Sequence, residues 1–239
     1  MTGRRSGPLP WLVALLLVVG LLTAGFVVGD GWAKDRVEQQ VAEQLQASLA
    51  TPDRPRVTID GFPFLVQVVT RDVRSVRVAA ERVSAGTDAG LLPIAHTDLV
   101  LTDITSPDWY KTMMAGHIDG VALVTYEDLA RLANVPITYV NDGRVEIQVT
   151  AQVLGVDVRA KITGKPRLEP NEQAMTLADP TIAIADVSLP NITAQALLRA
   201  LLKPIPLEGV PLGLKLSSVT AEQDGVHLVV NGDNVPLRS

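Results

Sequence analysis

The sequence predicts an α+β protein in which mainly antiparallel strands follow an N-terminal helix. Hydrophobic residues make up 47% of the 239 residues but aromatic residues only 4%, so the core must be aliphatic. Many segments alternate apolar and polar residues, which is the two-residue period of a half-buried strand. Short turn signals separate several of these segments, as in β-hairpins.

The N-terminal residues are predicted to form a targeting segment. Two arginines precede residues 11–28, a run that contains no charged residue. A spanning helix needs about 20 apolar residues and a secretory signal about 7 to 15. The length favours a retained single-pass anchor with a cytoplasmic N-terminus, while residues 31–33 also suit signal cleavage. In both cases residues 1–31 precede an exported domain that comprises residues 32–239. This domain is expected to be bound to the membrane on its extracytoplasmic side or, after signal cleavage, secreted to the periplasm.

An amphipathic helix is predicted from residue 32 to residue 49. Apolar residues recur there at helical spacing, and Thr51-Pro52 ends the pattern. The polar face is not rich in Lys or Arg, which favours packing against a sheet over lying on a bilayer.

Strands account for most of the remaining chain. The clearest hairpin turns at Leu154-Gly155 and has one wholly aliphatic face. Asn141-Asp142-Gly143 and Asp224-Gly225 are further hairpin turn signals, and the second is predicted to join the last two strands. The predicted strands are residues 56–59, 64–70, 74–83, 92–104, 121–124, 145–153, 156–162, 182–189, 212–222 and 226–231.

Two short helices are predicted between strands. Thr125 begins a segment that resembles a capping box, with acidic residues in the first turn. Thr193 precedes residues 194–203, which are almost uniformly Ala and Leu and end at Pro204.

Composition argues against several functions. The net charge of −5 opposes nucleic-acid binding, and the lack of cysteine excludes thiol catalysis, cysteine-based zinc sites and disulfides. The three histidines lack metal-ligand spacing, and no catalytic motif is present. We therefore expect no enzyme activity, catalytic residue, cofactor or metal. A hidden carboxylate pair, such as Asp98 with Asp103, is the remaining catalytic hypothesis.

Two segments carry candidate binding residues. Trp109, Tyr110, Met113 and Met114 follow Ser106-Pro107 and combine side chains typical of a bilayer interface with adaptable apolar ones. This segment predicts either a membrane-touching lip or an ordinary plug over one end of the sheet.

The second segment holds two of the three phenylalanines. Gly61 and Pro63 predict a bend, beside which Phe62, Phe64 and Leu65 either seal a sheet corner or contact a lipid chain.

At these residues the chain resembles a known family. The sequence Val-Thr-Ile-Asp-Gly-Phe-Pro-Phe-Leu from Val57, residues 74–83 and the closing strand 224–232 are similar to the LmeA-type family of actinobacterial cell-envelope proteins, named for lipomannan elongation. The resemblance implies binding of phospholipids, phosphatidylinositol-type lipids among them, and support of mannolipid maturation. It also implies a fold like the tubular lipid-binding proteins, a curved antiparallel sheet wrapped on a helix around an apolar tunnel. It supplies no catalytic residues.

These observations predict a cell-envelope protein that binds, and by extension transfers, phospholipids at a membrane. The alternative is a structural scaffold for envelope biosynthetic enzymes that binds no lipid. Nothing in the sequence identifies a protein partner. The predicted lipid-contacting residues are Phe62, Phe64, Leu65, Trp109, Tyr110, Met113 and Met114.

Overall fold

The structure, a computed structural model, describes residues 9–49, 51–87, 90–107, 112–153, 156–169, 174–184, 205–206 and 213–237. These residues contain three helices and eleven strands. The elements in chain order are α1 (Leu9–Leu49), β1 (Arg56–Asp60), α2 (Phe64–Thr70), β2 (Asp72–Thr87), β3 (Gly90–Thr105), β4 (Met113–Val124), α3 (Tyr126–Ala133), β5 (Ile137–Tyr139), β6 (Val145–Val153), β7 (Val156–Glu169), β8 (Ala174–Ile184), β9 (Ile205–Pro206), β10 (Lys215–Ala221) and β11 (Val226–Leu237).

The described strands form two antiparallel sheets, where the family resemblance implied one curved sheet. The first has the order β1-β2-β3-β4-β11-β10 and the second the order β5-β6-β7-β8-β9. The α+β class is therefore confirmed. Both predicted hairpins are confirmed as well, because Val153 pairs with Val156 and Ala221 pairs with Val226. The turn residues 154–155 lie outside the described residues.

The apolar faces of both sheets contribute to one buried cluster. Leu101 and Leu228 come from the six-stranded sheet, and Val145 and Leu168 come from the five-stranded sheet. Strand β10 also contacts β7, so the two sheets meet. Alternation along each strand places these aliphatic side chains inward and the charged ones outward, which produces the aliphatic core that the composition predicted.

Helix α1 begins well before the predicted amphipathic segment and runs through Asp30 and Gly31 without a break. A glycine in a helix interior costs only about 1 kcal/mol, which neighbouring helical hydrogen bonds can offset. The predicted packing against a sheet is confirmed, because Ala42 is buried and α1 contacts β1. The Glu38 carboxylate accepts a hydrogen bond from the Ile59 N–H at 2.6 Å, which satisfies a donor on this edge strand.

The predicted anchor, residues 11–28, lies mainly outside the side chains that the structure describes. Within the described part of the chain, no helix combines the length and the apolar character needed to cross a membrane.

The strand predicted for residues 64–70 is wrong, because this segment is helix α2. Its β-branched residues favour a strand only when a neighbouring strand is available to pair with them. Here Phe64 and Gln67, three residues apart, are buried on one helix face. Asp30 binds the first N–H groups of the helix, and Arg71 ends it in the left-handed conformation with φ 61°. Tertiary contacts therefore override local preference.

Two other local predictions are confirmed. The Thr125 hydroxyl caps α3 by accepting a hydrogen bond from the Asp128 N–H. Asp142 and Gly143 both have positive φ in the turn between β5 and β6, which suits an Asp-Gly pair. The helix predicted for residues 194–203 lies outside the described residues.

Candidate functional site

The Gly-Phe-Pro-Phe motif forms the connection between β1 and α2. Gly61 has φ +103°, a conformation that side chains of L-residues rarely adopt, and a Cβ atom there would lie 2.7 Å from Gln67 Nε2. The Phe62–Pro63 peptide bond is cis. The predicted bend is therefore confirmed. The backbone conformation favours glycine, and a Cβ atom at this position would also displace the Gln67 amide.

The two phenylalanines of the motif point to different environments. Phe64 is only 3% exposed and belongs to the buried cluster, whereas Phe62 is 60% exposed. Leu65 is half-buried and packs against the same cluster as Phe64. The motif therefore combines one core residue, one residue at the boundary and one residue that faces outward.

Asp30 of α1 joins this motif through its side chain. Its carboxylate oxygens accept hydrogen bonds from the backbone N–H groups of Phe64 at 2.8 Å and Leu65 at 2.7 Å. The first N–H groups of a helix lack partners within it, and a carboxylate satisfies them and complements the helix dipole. Asp30 is 3% exposed, so this contact is built into the junction between the two helices.

The sequence pattern does not predict this contact. The available signal was an acidic residue, Asp30, two positions after the end of the uncharged run 11–28. A second signal was Pro63, which precedes α2 and offers no side-chain hydrogen bond to it. Neither signal specifies the partner, because the two segments are 34 residues apart in the chain.

An open cleft lies where α2 ends against the six-stranded sheet. Its volume is about 440 Å³, and its walls come from the start of β2, the connection between β3 and β4, and β11. The lining residues are Thr70, Arg71, Asp72, Asp103, Thr105, Ser106, Pro107, Met114, Ala115, Gly116 and Asn234.

The cleft has a polar rim and an apolar floor. Arg71 donates a hydrogen bond from Nη1 to the Pro107 carbonyl at 3.3 Å, and the Ser106 N–H donates to the Arg71 carbonyl at 3.2 Å. The first bond holds the guanidinium against the β3–β4 connection, and the second joins the backbone at the end of α2 to the same connection. Ala115 lines the cleft and is also a fully buried member of the core cluster. Beneath its charged rim, the wall of the cleft is therefore backed by the aliphatic core.

Comparison with known protein families gives one result. The model of the family described as LmeA-like phospholipid-binding matches residues 28–231, which is most of the chain. The protein belongs to this family. No curated protein and no solved structure matches the chain.

The LmeA-like match includes every part of the junction described above. It begins two residues before Asp30, and it contains the whole motif from Gly61 to Phe64. The phospholipid-binding description of the family supports a phospholipid as partner.

The predicted lip of this LmeA-like protein is described in part. Trp109 and Tyr110 lie outside the described residues. Met113 is half-buried and packs against the core cluster, while Met114 lines the cleft. Of the predicted residues, the structure therefore places Phe64 in the interior, Leu65 and Met113 at the edge of the core and Met114 at the cleft, and it leaves Phe62 exposed.

Each histidine pairs with carboxylates on the surface. The closest pairs are His96 with Asp98 at 2.8 Å, His117 with Asp233 at 2.6 Å and His227 with Asp224 at 3.0 Å. The hydrogen bond to Asp233, assisted by the charge of Asp119, raises the pKa of His117.

One exposed group in the described part of the chain has the composition of a cation site. The ligand atoms of Glu222, Asp224 and His227 lie within 4.8 Å of one another, at the turn that joins β10 to β11. The hydrogen bond from His227 lowers the pKa of Asp224, which is the behaviour of a surface ion pair. We therefore interpret this group as a surface ion pair of the hairpin.

Proposed function

We propose that this protein is a non-catalytic phospholipid-binding protein of the cell envelope. The acyl chain lies among aliphatic side chains between the two sheets, and the headgroup occupies the cleft beside Arg71. The observation that carries this proposal is Ala115, which belongs both to the cleft and to the buried cluster. This arrangement matches a lipid, whose polar headgroup suits the rim and whose apolar tail suits the aliphatic side chains.

Apolar surface remains accessible at the margin of the buried cluster. Many aliphatic side chains pack against the buried cluster while remaining only partly buried. Burial of an acyl chain gains about 0.8 kcal/mol per CH₂ group, so partial enclosure of one chain supports binding without many polar contacts. These side chains include Leu65, Val68, Val76, Val78, Leu99, Ile147 and Leu177.

The polar rim suits a headgroup that carries both a phosphate and hydroxyl groups. The Arg71 guanidinium is a phosphate donor of fixed geometry. Asp72, Asp103 and Asn234 provide acceptors for hydroxyl groups nearby. A phosphatidylinositol-type lipid has this combination, and its delivery to envelope glycolipid synthesis, such as lipomannan maturation, is the role we propose.

We also propose that the N-terminal segment stays attached and holds the domain at the extracytoplasmic face of the membrane. Cleavage after residue 33 would remove Asp30 and leave the first N–H groups of α2 without their acceptors. The structure of α2 therefore favours a retained anchor over a cleaved signal. Detection of residues 1–31 by peptide mass spectrometry on protein from membranes tests this, and a mature N-terminus at residue 34 would contradict it.

The experiment that tests lipid binding is native mass spectrometry of the full chain, extracted with a mild detergent. We expect a discrete retained phospholipid mass. Val78→Asn, which places an amide in the partly buried wall, should reduce retention. Val100→Asn is the matched control, because Val100 is exposed on β3, the strand that pairs with β2.

The comparison of these two variants distinguishes a lipid held inside the domain from lipid that only surrounds the apolar N-terminal segment. Equal retention by both variants would contradict an acyl chain in the interior. Bare protein that also takes up no added phospholipid would overturn the proposal and favour the structural scaffold.

A further inference from the structure

The outward face of α2 is apolar and uncharged. Val66 is 49% exposed and Val69 is 73% exposed, and they lie three residues apart on one side of the helix. Phe62, four residues before Val66, is also exposed. A surface helix of a soluble protein normally places charged side chains on this side, but α2 contains no charged residue.

The polar side chain of this face is satisfied within the helix. The Thr70 hydroxyl donates to the Val66 carbonyl at 2.9 Å and lies 3.2 Å from the Gln67 carbonyl. In an apolar medium a hydroxyl without a partner costs free energy, and internal bonding removes that cost. The outer face of α2 is therefore suited to contact with hydrocarbon as well as with water.

The neighbouring part of α1 has the same character. Phe26 and Val27 are exposed and lie on the same side of α1 as Asp30, one turn nearer the N-terminus. Trp32 is exposed as well, and the Arg36 guanidinium lies 5.4 Å from the centre of its ring. A tryptophan beside a basic residue is typical of the boundary between lipid headgroups and acyl chains.

We propose that Phe62, Val66 and Val69 form a surface that contacts the lipid bilayer. The Asp30 contact fixes this surface beside the point where α1 becomes uncharged, so both helices meet the bilayer together. The inference rests on the proposed function in one respect, namely that the partner is lipid. It adds a second lipid contact, to the membrane itself, outside the cleft and the interior.

The size of the surface favours a bilayer over a second copy of the chain. Helix α2 is only ~10 Å long, and its three exposed side chains offer far less than the about 800 Å² per partner of a stable protein interface. A membrane contact needs no such area, because it adds to the attachment through α1.

The absence of cysteine allows a direct test by site-specific labelling. Val66→Cys and Val69→Cys receive a fluorophore that responds to polarity, and the full chain is reconstituted into phosphatidylcholine–phosphatidylglycerol vesicles containing spin-labelled lipid. Val140→Cys is the matched control, since Val140 is 46% exposed and precedes the β5–β6 turn. We expect blue-shifted emission and several-fold stronger quenching at positions 66 and 69 than at position 140.

Equal quenching at all three positions would overturn the inference. A blue shift at positions 66 and 69 that needs no vesicles and grows with protein concentration would instead indicate contact between copies, and would also overturn it. Addition of Val66→Asp should abolish quenching at position 69, whereas addition of Val140→Asp should not. Lipid retention is measured on the same samples. It distinguishes failure of the bilayer contact from failure of the proposed function, because positions 66 and 140 do not line the cleft.

Discussion

The carboxylate of Asp30 accepts a hydrogen bond from the backbone N–H of Phe64 at 2.8 Å, and so joins the N-terminal helix to the start of α2. The second carboxylate oxygen accepts the next N–H, from Leu65, at 2.7 Å. Both bonds involve a charged acceptor in a buried place, and such bonds are stronger than neutral ones. The N-terminal helix is therefore part of the folded domain and not only an attachment to it.

Asp30→Ala should lower the free energy of unfolding by about 1–3 kcal/mol, because it leaves two N–H groups of α2 without an acceptor. The measurement is chemical denaturation of the full chain in mild detergent. The matched control is Asp35→Ala, an exposed acid on the same helix, which should change the value by less than about 0.5 kcal/mol. Equal losses in the two variants would show that the Asp30 contact does not stabilise the fold.

The two phenylalanines of the motif should respond differently to truncation. Phe64→Ala should cost about 3–5 kcal/mol, because it removes a buried ring from the core. Phe62→Ala should cost less than about 0.5 kcal/mol, because the ring is largely exposed. Thermal or chemical denaturation checks both values. A large loss of stability for Phe62→Ala would contradict its assignment to the outer surface.

Gly61→Ala should destabilise the protein by about 1–3 kcal/mol, because alanine disfavours positive φ and its Cβ would meet the Gln67 amide. The displaced Gln67 side chain accepts a hydrogen bond from the Arg74 N–H, which links α2 to β2. Gly29→Ala is the control, since no atom lies within 4 Å of a Cβ there. That change should leave stability unchanged or raise it by up to about 1 kcal/mol. A larger loss of stability for Gly29→Ala than for Gly61→Ala would contradict a structural need for glycine at position 61.

The stability of the protein should depend on Tyr126 in alkaline solution. Burial, with smaller effects from Tyr139, Asp224 and Glu222, raises the pKa of Tyr126 from 10.0 to about 12. The folded state therefore keeps this proton where the unfolded state loses it. The resulting stabilisation is fully present below pH 10 and is lost as the pH rises towards 12.

Comparison with Tyr126→Phe isolates this effect. Below pH 10 the variant should be less stable by about 1 kcal/mol, because it loses the hydroxyl that donates to the Glu222 and Gly225 carbonyls. The difference should narrow between pH 10 and 12, as measured by denaturation at each pH. A difference that stays constant would contradict the raised pKa.

His117 provides a second test of electrostatics, near neutral pH. Its pKa is raised above 6.5, mainly by the hydrogen bond to Asp233 and further by the charge of Asp119. A raised histidine pKa stabilises the folded state below pH 6.5, and this contribution is lost as the pH rises through the folded-state value. Asp233→Asn should lower the pKa in an NMR titration of the imidazole ring. Asp35→Asn on α1 should leave the His117 pKa unchanged. An equal shift of this pKa in the two variants would point to net charge as the cause.

Local signals predicted the elements whose hydrogen bonds are local. The Thr125 cap, the Asp142-Gly143 turn and the hairpins use partners within a few residues, so the sequence pattern contains all the necessary information. Residues 64–70 are different. Their β-branched composition favours a strand, but the distant Asp30 carboxylate and the burial of one face stabilise a helix instead. The cleft was also beyond local prediction, since its walls come from four strands and a helix end.

The sequence by itself determined the aliphatic core, the antiparallel hairpins, the bend at Gly61 and the family, because each depends on composition or on neighbouring residues. The tertiary structure alone decided that α2 is a helix, that Asp30 caps it, that the strands divide into two sheets and that Phe62 and Phe64 lie on opposite sides of the motif. These features depend on contacts between segments that are far apart in the chain. Such hydrogen bonds and buried contacts exist only after the chain has folded.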